Sequence, residues 1–199
     1  MADISASQVK KLREQTGAGL MDCKKALTEN NGDHEAAVEW LRKKGAATAE
    51  KKASRSTSEG VIARHLSVDG KSGTIVEINC ETDFVAKNEK FQQFCDEIAA
   101  GYAADSSADL EEQRTKAVAE IGENIQFTRN ESLSIDGPGA VTAYIHHGAK
   151  VGVLLAVATN KDETTGTDAF KELLSDITLQ ITAASPDALD RTQLDQSKL

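Results

Sequence analysis

The feature that most constrains the fold of this chain is an internal repeat. Residues 60–103 can be laid on residues 139–182 without a gap, at a constant offset of 79. Self-similarity over such a length indicates a duplicated structural unit. The pairs of similar residues at this offset are Lys71 with Lys150, Gly73 with Gly152, Ile78 with Val157, Asp83 with Asp162, Phe91 with Phe170, and Ile98 with Ile177.

Each copy has the pattern of two strands followed by a helix. In the first copy, period-two alternation predicts one strand through Ile62, Leu66 and Val68, and another through Val76, Ile78 and Cys80. Asp69-Gly70 between them is a hairpin turn signal. Helical spacing follows at Phe91, Phe94, Cys95, Ile98 and Tyr102. The sequence therefore predicts an α+β core of antiparallel hairpins with helices packed on the sheets.

The segment between the copies predicts one more helix and one more strand. The apolar residues Leu110, Ala117, Val118 and Ile121 have helical spacing, and Ile125 and Phe127 alternate as in a strand.

The first 45 residues predict three short helices. Ser5 and Gln8 form a capping box at the start of the first, and Asp33 can cap the third. Gly45 is expected to end the third helix. We therefore expect a three-helix module at 1–45, a linker with some helix at 46–58, a first core subdomain at 59–135 and an incomplete second one at 136–199.

Charge and hydropathy exclude two classes of protein. The formal net charge of −9 argues against a general nucleic-acid binder, since phosphate contact requires clustered cations. No apolar run is long enough to span a bilayer and the first residues form no signal peptide, so a cytoplasmic location is expected. One basic stretch, residues 42–55, is interpreted either as a solvated helix end and linker or as a contact for an acidic partner.

No enzymatic site is predicted. Cys23, Cys80 and Cys95 lack metal-binding spacing and lie in apolar patterns, so we expect small buried side chains. The four histidines add no ligand set. Glu81, Asp83 and Lys87 could be imagined as an acid–base set, but no nucleophile is paired with a base and no phosphate-binding glycine loop is present.

The two copies differ in the loop between the second strand and the helix. Phe84 and Val85 of the first copy correspond to Glu163 and Thr164 of the second. Because one copy tolerates polar groups there, Phe84 and Val85 are expected at a position that water can reach. An exposed aromatic side chain on a rigid loop is typical of a protein-binding hot spot.

Two long motifs stand out: residues 77–87 (EINCETDFVAK), around Thr-Asp-Phe-Val, and residues 12–27 (LREQTGAGLMDCKKAL), near the N-terminus. They resemble the two signatures of the elongation factor Ts family. Residues 121–125 (IGENI) and 147–154 (HGAKVGVL) resemble two further family segments. The resemblance implies a UBA-like N-terminal module, a duplicated core, and guanine-nucleotide exchange on elongation factor Tu during translation.

The resemblance also implies how the motif acts. Asp83 and Phe84 would press against the nucleotide-binding domain of elongation factor Tu, with Phe84 as a wedge that disturbs the partner's Mg²⁺ and phosphate site. Thr82 and Val85 complete the motif. The chain itself would need no cofactor, because GDP, GTP and Mg²⁺ belong to the partner.

Two further contacts with elongation factor Tu are implied by the resemblance. One is the N-terminal module, through Arg13, Leu20, Met21 and Lys24. From its spacing Leu20 could instead be a core residue, whereas Met21 lies off the apolar stripe. The other contact is His147, expected in a hairpin turn at the position where the first copy has Asp69.

Alternatives remain open. Longer family members add a helical hairpin used in dimerisation and a C-terminal module that also grips the partner, so we do not expect the family's homodimer here, and this chain is either a naturally short form or a fragment. A binding module without exchange activity is one alternative. A nucleic-acid role, suggested by the helix-turn-helix pattern of the first module, is another, against which the acidity and the 4% aromatic content count.

Overall fold

The structure is a computed structural model that describes residues 4–194. It has the predicted α+β class, with a three-stranded sheet, a two-stranded sheet and helices. The chain forms two compact units, each built from separate stretches. The first comprises residues up to 60, 78–94 and 109–127, and the second comprises 61–77, 95–108 and residues from 128 onward. The domain boundaries expected from the sequence remain a prediction.

The first unit contains the predicted N-terminal helices. They are α1 (Ala6–Thr16), α2 (Leu20–Glu29) and α3 (His34–Lys52). Ser5 and Gln8 form the expected capping box, and the Asp33 side chain caps α3 by accepting a hydrogen bond from the Ala36 amide. Their small common core consists of Val9, Leu12, Cys23, Ala26, Leu27 and Ala37, with Trp40 and Leu41 packed against it.

The predicted end of α3 at Gly45 is wrong. The helix continues to Lys52, into the range expected to be a linker. Gly45 is buried where α3 packs against a later helix, α6 (Glu111–Ile121), and a Cβ atom added there would lie 3.5 Å from the Cβ of Ala119. Gly45 thus lies inside a helix at a close contact with another helix, and tertiary packing outweighs its low helix propensity.

The first copy of the repeat has the two predicted strands and the predicted long helix, but the expected loop between them contains a one-turn helix that the sequence did not predict. The hairpin strands are β1 (Glu59–Leu66) and β2 (Ser72–Cys80), followed by a one-turn helix α4 (Asp83–Ala86) and the long helix α5 (Glu89–Ala104). After α6, strand β3 (Ile125–Ser134) completes a sheet of order β1-β2-β3. Phe94 of α5 packs on Phe127 of β3, with ring centroids 6.1 Å apart.

The second copy repeats these elements with nearly the same bounds. They are β4 (Gly139–Ile145), β5 (Gly152–Ala158), α7 (Asp162–Thr165) and α8 (Asp168–Ala184), followed by a short 3₁₀ helix (Arg191–Gln193). Helix α7 is offset from α4 by the same 79 positions as the sequences. The duplication predicted from the sequence is therefore a duplication of structure.

A pair of glycines shows how closely the copies agree. Gly60 and Gly139 both have a φ of +148°. A Cβ atom at Gly60 would lie 2.3 Å from the Ile78 carbonyl oxygen, and one at Gly139 would lie 2.5 Å from that of Val157. Both positions need glycine because the neighbouring strand's backbone occupies the space of a side chain.

The two hairpins pair reciprocally within the second unit. The Ile62 amide donates a hydrogen bond of 2.7 Å to the Ala149 carbonyl, and the Val141 amide donates one of 2.7 Å to the Gly70 carbonyl. Since Ile62 corresponds to Val141 and Gly70 to Ala149, these two bonds are related by the repeat. This reciprocity indicates a local twofold relation between the hairpins.

Two details of the hairpin predictions are wrong. Val68 is not on β1, which ends at Leu66, but lies fully exposed in the turn. The buried side chains of β1 are those of Val61 and Ala63. In addition, the structurally equivalent residue of His147 is Val68 rather than Asp69. The turn bonds show this, because Gly70 bonds to Ser67 just as Ala149 bonds to His146.

All three cysteines are buried, as predicted. Burial raises the pKa of the Cys23 thiol, while a hydrogen bond with Thr16 acts in the opposite direction. Among residues 4–194, no helix is both long and apolar enough to cross a membrane.

Candidate protein-docking site

The centre of the candidate site is the short helix α4 after strand β2. Thr82 caps it, because its hydroxyl oxygen accepts a hydrogen bond of 3.3 Å from the Val85 amide. The Ala86 side chain is buried beneath the helix. A helix of four residues is not stable by itself, so its position depends on its caps and its tertiary contacts.

Phe84 projects from α4 into solvent. Its side chain is 82% exposed, as expected from the comparison of the two copies, whereas Val85 is half-buried. Asp83 is beside it and accepts a hydrogen bond of 2.7 Å from the Lys87 ammonium. That bond lowers the pKa of Asp83 and raises that of Lys87, so both groups stay charged at neutral pH. The surface thus presents an aromatic ring next to an ion pair.

A carboxylate from a distant part of the chain anchors this loop. Glu123, between α6 and β3, accepts hydrogen bonds of 3.0 Å from the amides of Glu81 and Thr82. It also accepts one of 2.6 Å from the Thr82 hydroxyl. The hydroxyl proton therefore points to Glu123, which leaves an oxygen lone pair for the Val85 amide.

The anchor is reciprocal. Glu81 in turn accepts a hydrogen bond of 2.6 Å from the Asn124 amide, and its other oxygen lies 3.5 Å from the Arg55 guanidinium. Asn124 is fully buried and its side chain donates to the carbonyls of Ala53 and Arg55. Sequence reasoning gave no role to Glu123 or Asn124, although both lie in the family-like segment 121–125.

The second copy lacks this arrangement. Lys161 stands at the position of Thr82 and provides no side-chain cap for α7. Asn160 and Glu163 replace Glu81 and Phe84, and Glu163 is exposed. The second copy therefore forms its one-turn helix without an anchor of this kind. Within residues 4–194, the anchor is present only in the copy that carries the exposed phenylalanine.

The side chains predicted on the N-terminal module are all on its surface. Leu20 is 53% exposed and Met21 71%, so the alternative of Leu20 as a core residue is wrong. Arg13 and Lys24 are also exposed. Because Leu20, Met21 and Lys24 lie on the first turns of α2, they form an apolar surface with a cation at its edge.

His147 belongs to the second unit, whereas the other predicted site residues belong to the first. It is exposed in the β4–β5 turn. Its neighbour His146 is held by the Tyr144 hydroxyl, 3.1 Å from Nδ1. His147 is therefore accessible to a partner.

The basic stretch is largely neutralised within the chain. Arg42 and Lys43 pair with Glu39, at 2.8 and 3.6 Å, and Lys44 pairs with Asp22. Lys52 donates to the Gly122 carbonyl. These bonds favour the solvated helix end over a contact with an acidic partner.

The imagined acid–base set has structural roles instead. Glu81 accepts from the Asn124 backbone, and Asp83 pairs with Lys87. Within residues 4–194 no cluster of histidine, cysteine and carboxylate side chains could hold a metal ion. The exposed Phe84 ring beside the Asp83–Lys87 ion pair is a surface suited to contact with another protein.

Comparison with known proteins places this chain in a family. The family model described as elongation factor TS matches residues 81–199, which is more than half of the chain. Proteins called elongation factor Ts from a Nitratiruptor species and from Trichlorobacter lovleyi are 45% identical to it over 96% and 94% of its length, and the match spans 66% and 65% of theirs. The one from Clostridium novyi is 42% identical, over 98% of this chain and 68% of the relative. The chain thus spans about two thirds of the length of these relatives, and it belongs to the elongation factor Ts family.

Proposed function

We propose that this chain is a guanine-nucleotide exchange factor that binds elongation factor Tu in its GDP form and promotes GDP release. Membership of the elongation factor Ts family supports this proposal. The observation that carries it is Phe84, which is 82% exposed on a short, anchored helix. Exposing a phenylalanine has a cost in water, so a partner that covers the ring is the simplest reason for it.

The proposed mechanism is indirect. GDP is held by Mg²⁺ and by backbone amides around its phosphates. Phe84 wedges into the nucleotide-binding domain of elongation factor Tu, with Asp83, Thr82 and Val85 beside it, and displaces these groups without touching the nucleotide. The binding of this chain and the binding of GDP to elongation factor Tu are coupled. This chain therefore weakens GDP binding by the same ratio by which GDP weakens binding of this chain.

The other surfaces have a different role in this proposal. The exposed Arg13, Leu20, Met21 and Lys24 of the N-terminal module, together with His147, hold the partner. Their contacts are equal before and after nucleotide release, so they set affinity for the partner. Only contacts that differ between the two states change the release rate.

Stopped-flow release of a fluorescent GDP analogue from elongation factor Tu tests the proposal. Phe84→Ala should slow the release rate at saturating factor roughly 30-fold, the effect of losing an aromatic hot spot of about 2 kcal/mol. Phe84→Leu, which keeps apolar volume, should be intermediate. Replacing Leu20 and Met21 by alanine should instead raise the factor concentration needed for half-maximal rate.

Val68→Ala is the matched control, since Val68 is an equally exposed apolar residue in a different loop. It should leave both parameters unchanged. If Phe84→Ala accelerated GDP release as much as the parent chain does, the wedge role of Phe84 would be refuted. A chain that binds without accelerating release would be a docking module only, and one that does not bind would refute the proposed function altogether.

A further inference from the structure

We propose that Glu123 is a positioning residue for Phe84: its carboxylate holds the β2–α4 loop rigid enough for the phenylalanine to act as a wedge. This inference rests on the proposed function. In it, Glu123 acts through the loop that it anchors.

The Glu123 anchor is strong because of the number and kind of its hydrogen bonds. One carboxylate accepts three hydrogen bonds from two consecutive residues, Glu81 and Thr82, at 3.0, 3.0 and 2.6 Å. Bonds to a charged acceptor are stronger than those between neutral groups. They end two residues before Phe84, so the start of α4 is fixed at the place from which the ring projects.

Glu123 also fixes the orientation of the Thr82 hydroxyl. A hydroxyl caps a helix only when its oxygen faces the amide. By accepting a hydrogen bond from the Thr82 hydroxyl, Glu123 orients that oxygen toward the Val85 amide. Val85 directly follows Phe84, so the carboxylate fixes the backbone on both sides of the ring.

The second copy of the repeat provides an internal control. Helix α7 has the same length and equivalent position as α4, but its N-cap residue Lys161 provides no side-chain capping hydrogen bond. The fold therefore does not need the anchor to form the one-turn helix. The anchored copy is the one with Phe84, whereas the other copy has Glu163 there, which indicates that the anchor serves the phenylalanine.

Rigidity matters physically because a wedge must transmit force. A hydrophobic side chain on a mobile loop would bind the partner by moving with it, and ordering the loop would consume binding free energy. In a loop already held in place, that energy goes into displacing groups of the partner. Loss of the anchor should therefore lower the release rate at saturation more than the affinity.

The first measurement uses the chain alone. Amide hydrogen exchange followed by NMR should show roughly tenfold or greater acceleration at Thr82 and Val85 in Glu123→Gln, because a charge-assisted acceptor is lost. The amide of Ile78, within β2, should be unchanged. Glu112→Gln, which makes the same change of charge at an exposed position on α6, is the control and should accelerate neither amide.

The second measurement is GDP release from elongation factor Tu with Glu123→Gln, alone and combined with Phe84→Ala. If Glu123 acts through Phe84, Glu123→Gln slows saturated release roughly tenfold in the parent chain and has no further effect in the Phe84→Ala chain. The half-saturating concentration stays within about twofold. A merely structural role would instead lower activity in both backgrounds.

The outcomes separate this inference from the proposed function. Unchanged exchange at Thr82 and Val85, or equal losses in the two backgrounds, overturns the role of Glu123 even if the parent chain is active. A parent chain that does not accelerate release overturns the proposed function and the positioning role with it. The hydrogen-exchange result then still decides whether Glu123 anchors the loop.

Discussion

Replacing Gly45 by alanine should stabilise the protein. The residue lies within α3, at the contact with α6. An added Cβ atom would lie 3.5 Å from the Cβ of Ala119 and 3.9 Å from Cγ2 of Thr115, which are ordinary van der Waals distances. The methyl group therefore fits into the interface without displacing either neighbour.

The expected gain follows from two terms. Glycine in a helix interior is about 0.8–1.0 kcal/mol less favourable than alanine. Burial of one methyl group adds up to about 0.8 kcal/mol, from which tight packing subtracts. We expect the free energy of unfolding to rise by about 1 kcal/mol. Had Gly45 been a left-handed residue ending the helix, alanine would instead cost about 1–2 kcal/mol.

Urea unfolding followed by the fluorescence of Trp40, on the same helix, would measure the change. Midpoints are compared at constant m-value, and a gain of about 1 kcal/mol corresponds to a rise in Tm of about 2–4 °C for a chain of this size. Gly122→Ala is the control. Gly122 ends α6 with a φ of +86° and no atom within 4 Å of an added Cβ, so alanine there should destabilise by about 1 kcal/mol through backbone strain.

A Gly45→Ala chain that is less stable than the parent would refute the reasoning. It would show that α3 ends near Gly45 or that α6 packs too closely to accept a methyl group. Gly45→Leu distinguishes these two explanations. A solvated helix end would accept the larger side chain, whereas a close helix–helix interface would not.

Three further predictions concern the region around α4. Phe91→Ala should lower the free energy of unfolding by about 3–5 kcal/mol because Phe91 is fully buried, whereas Phe84→Ala should change it by less than about 0.5 kcal/mol; equal losses in urea unfolding would show that Phe84 is packed. Lys87→Gln should raise the pKa of Asp83 toward its ordinary value, measured by NMR titration of the carboxyl group, because the hydrogen bond that lowers it is lost. In the parent chain the Asp83–Lys87 pair stabilises α4 at pH values above the ordinary aspartate pKa, and this contribution is lost as the pH falls through the lowered pKa of Asp83. An Asp83 pKa that does not respond to Lys87→Gln would contradict this. Asn124→Ala should cost about 1–3 kcal/mol in the same unfolding assay, since two backbone carbonyls lose their buried donor, and a neutral result would mean that water replaces it.

Much of the fold could be predicted because its signals are local or repeated. The capping box at Ser5, the cap at Asp33 and the alternation along β2 each lie within a few residues of the structure that they specify. The offset of 79 located every element of the second copy from the first. The same comparison predicted that Phe84 is exposed, because a glutamate occupies the equivalent position.

Only the tertiary structure decided the rest. A glycine can end a helix or lie within one, and the sequence near Gly45 does not show that α6 packs there. Val68 lies in the turn because β1 ends at Leu66, whereas apolar alternation alone predicted that the strand continues to Val68. The bonds between Glu123 and Thr82 join residues 41 positions apart and leave no periodic trace in the sequence. Sequence patterns record what each residue needs from its neighbours along the chain, whereas the rigidity of the Phe84 loop comes from a carboxylate that only folding brings to it.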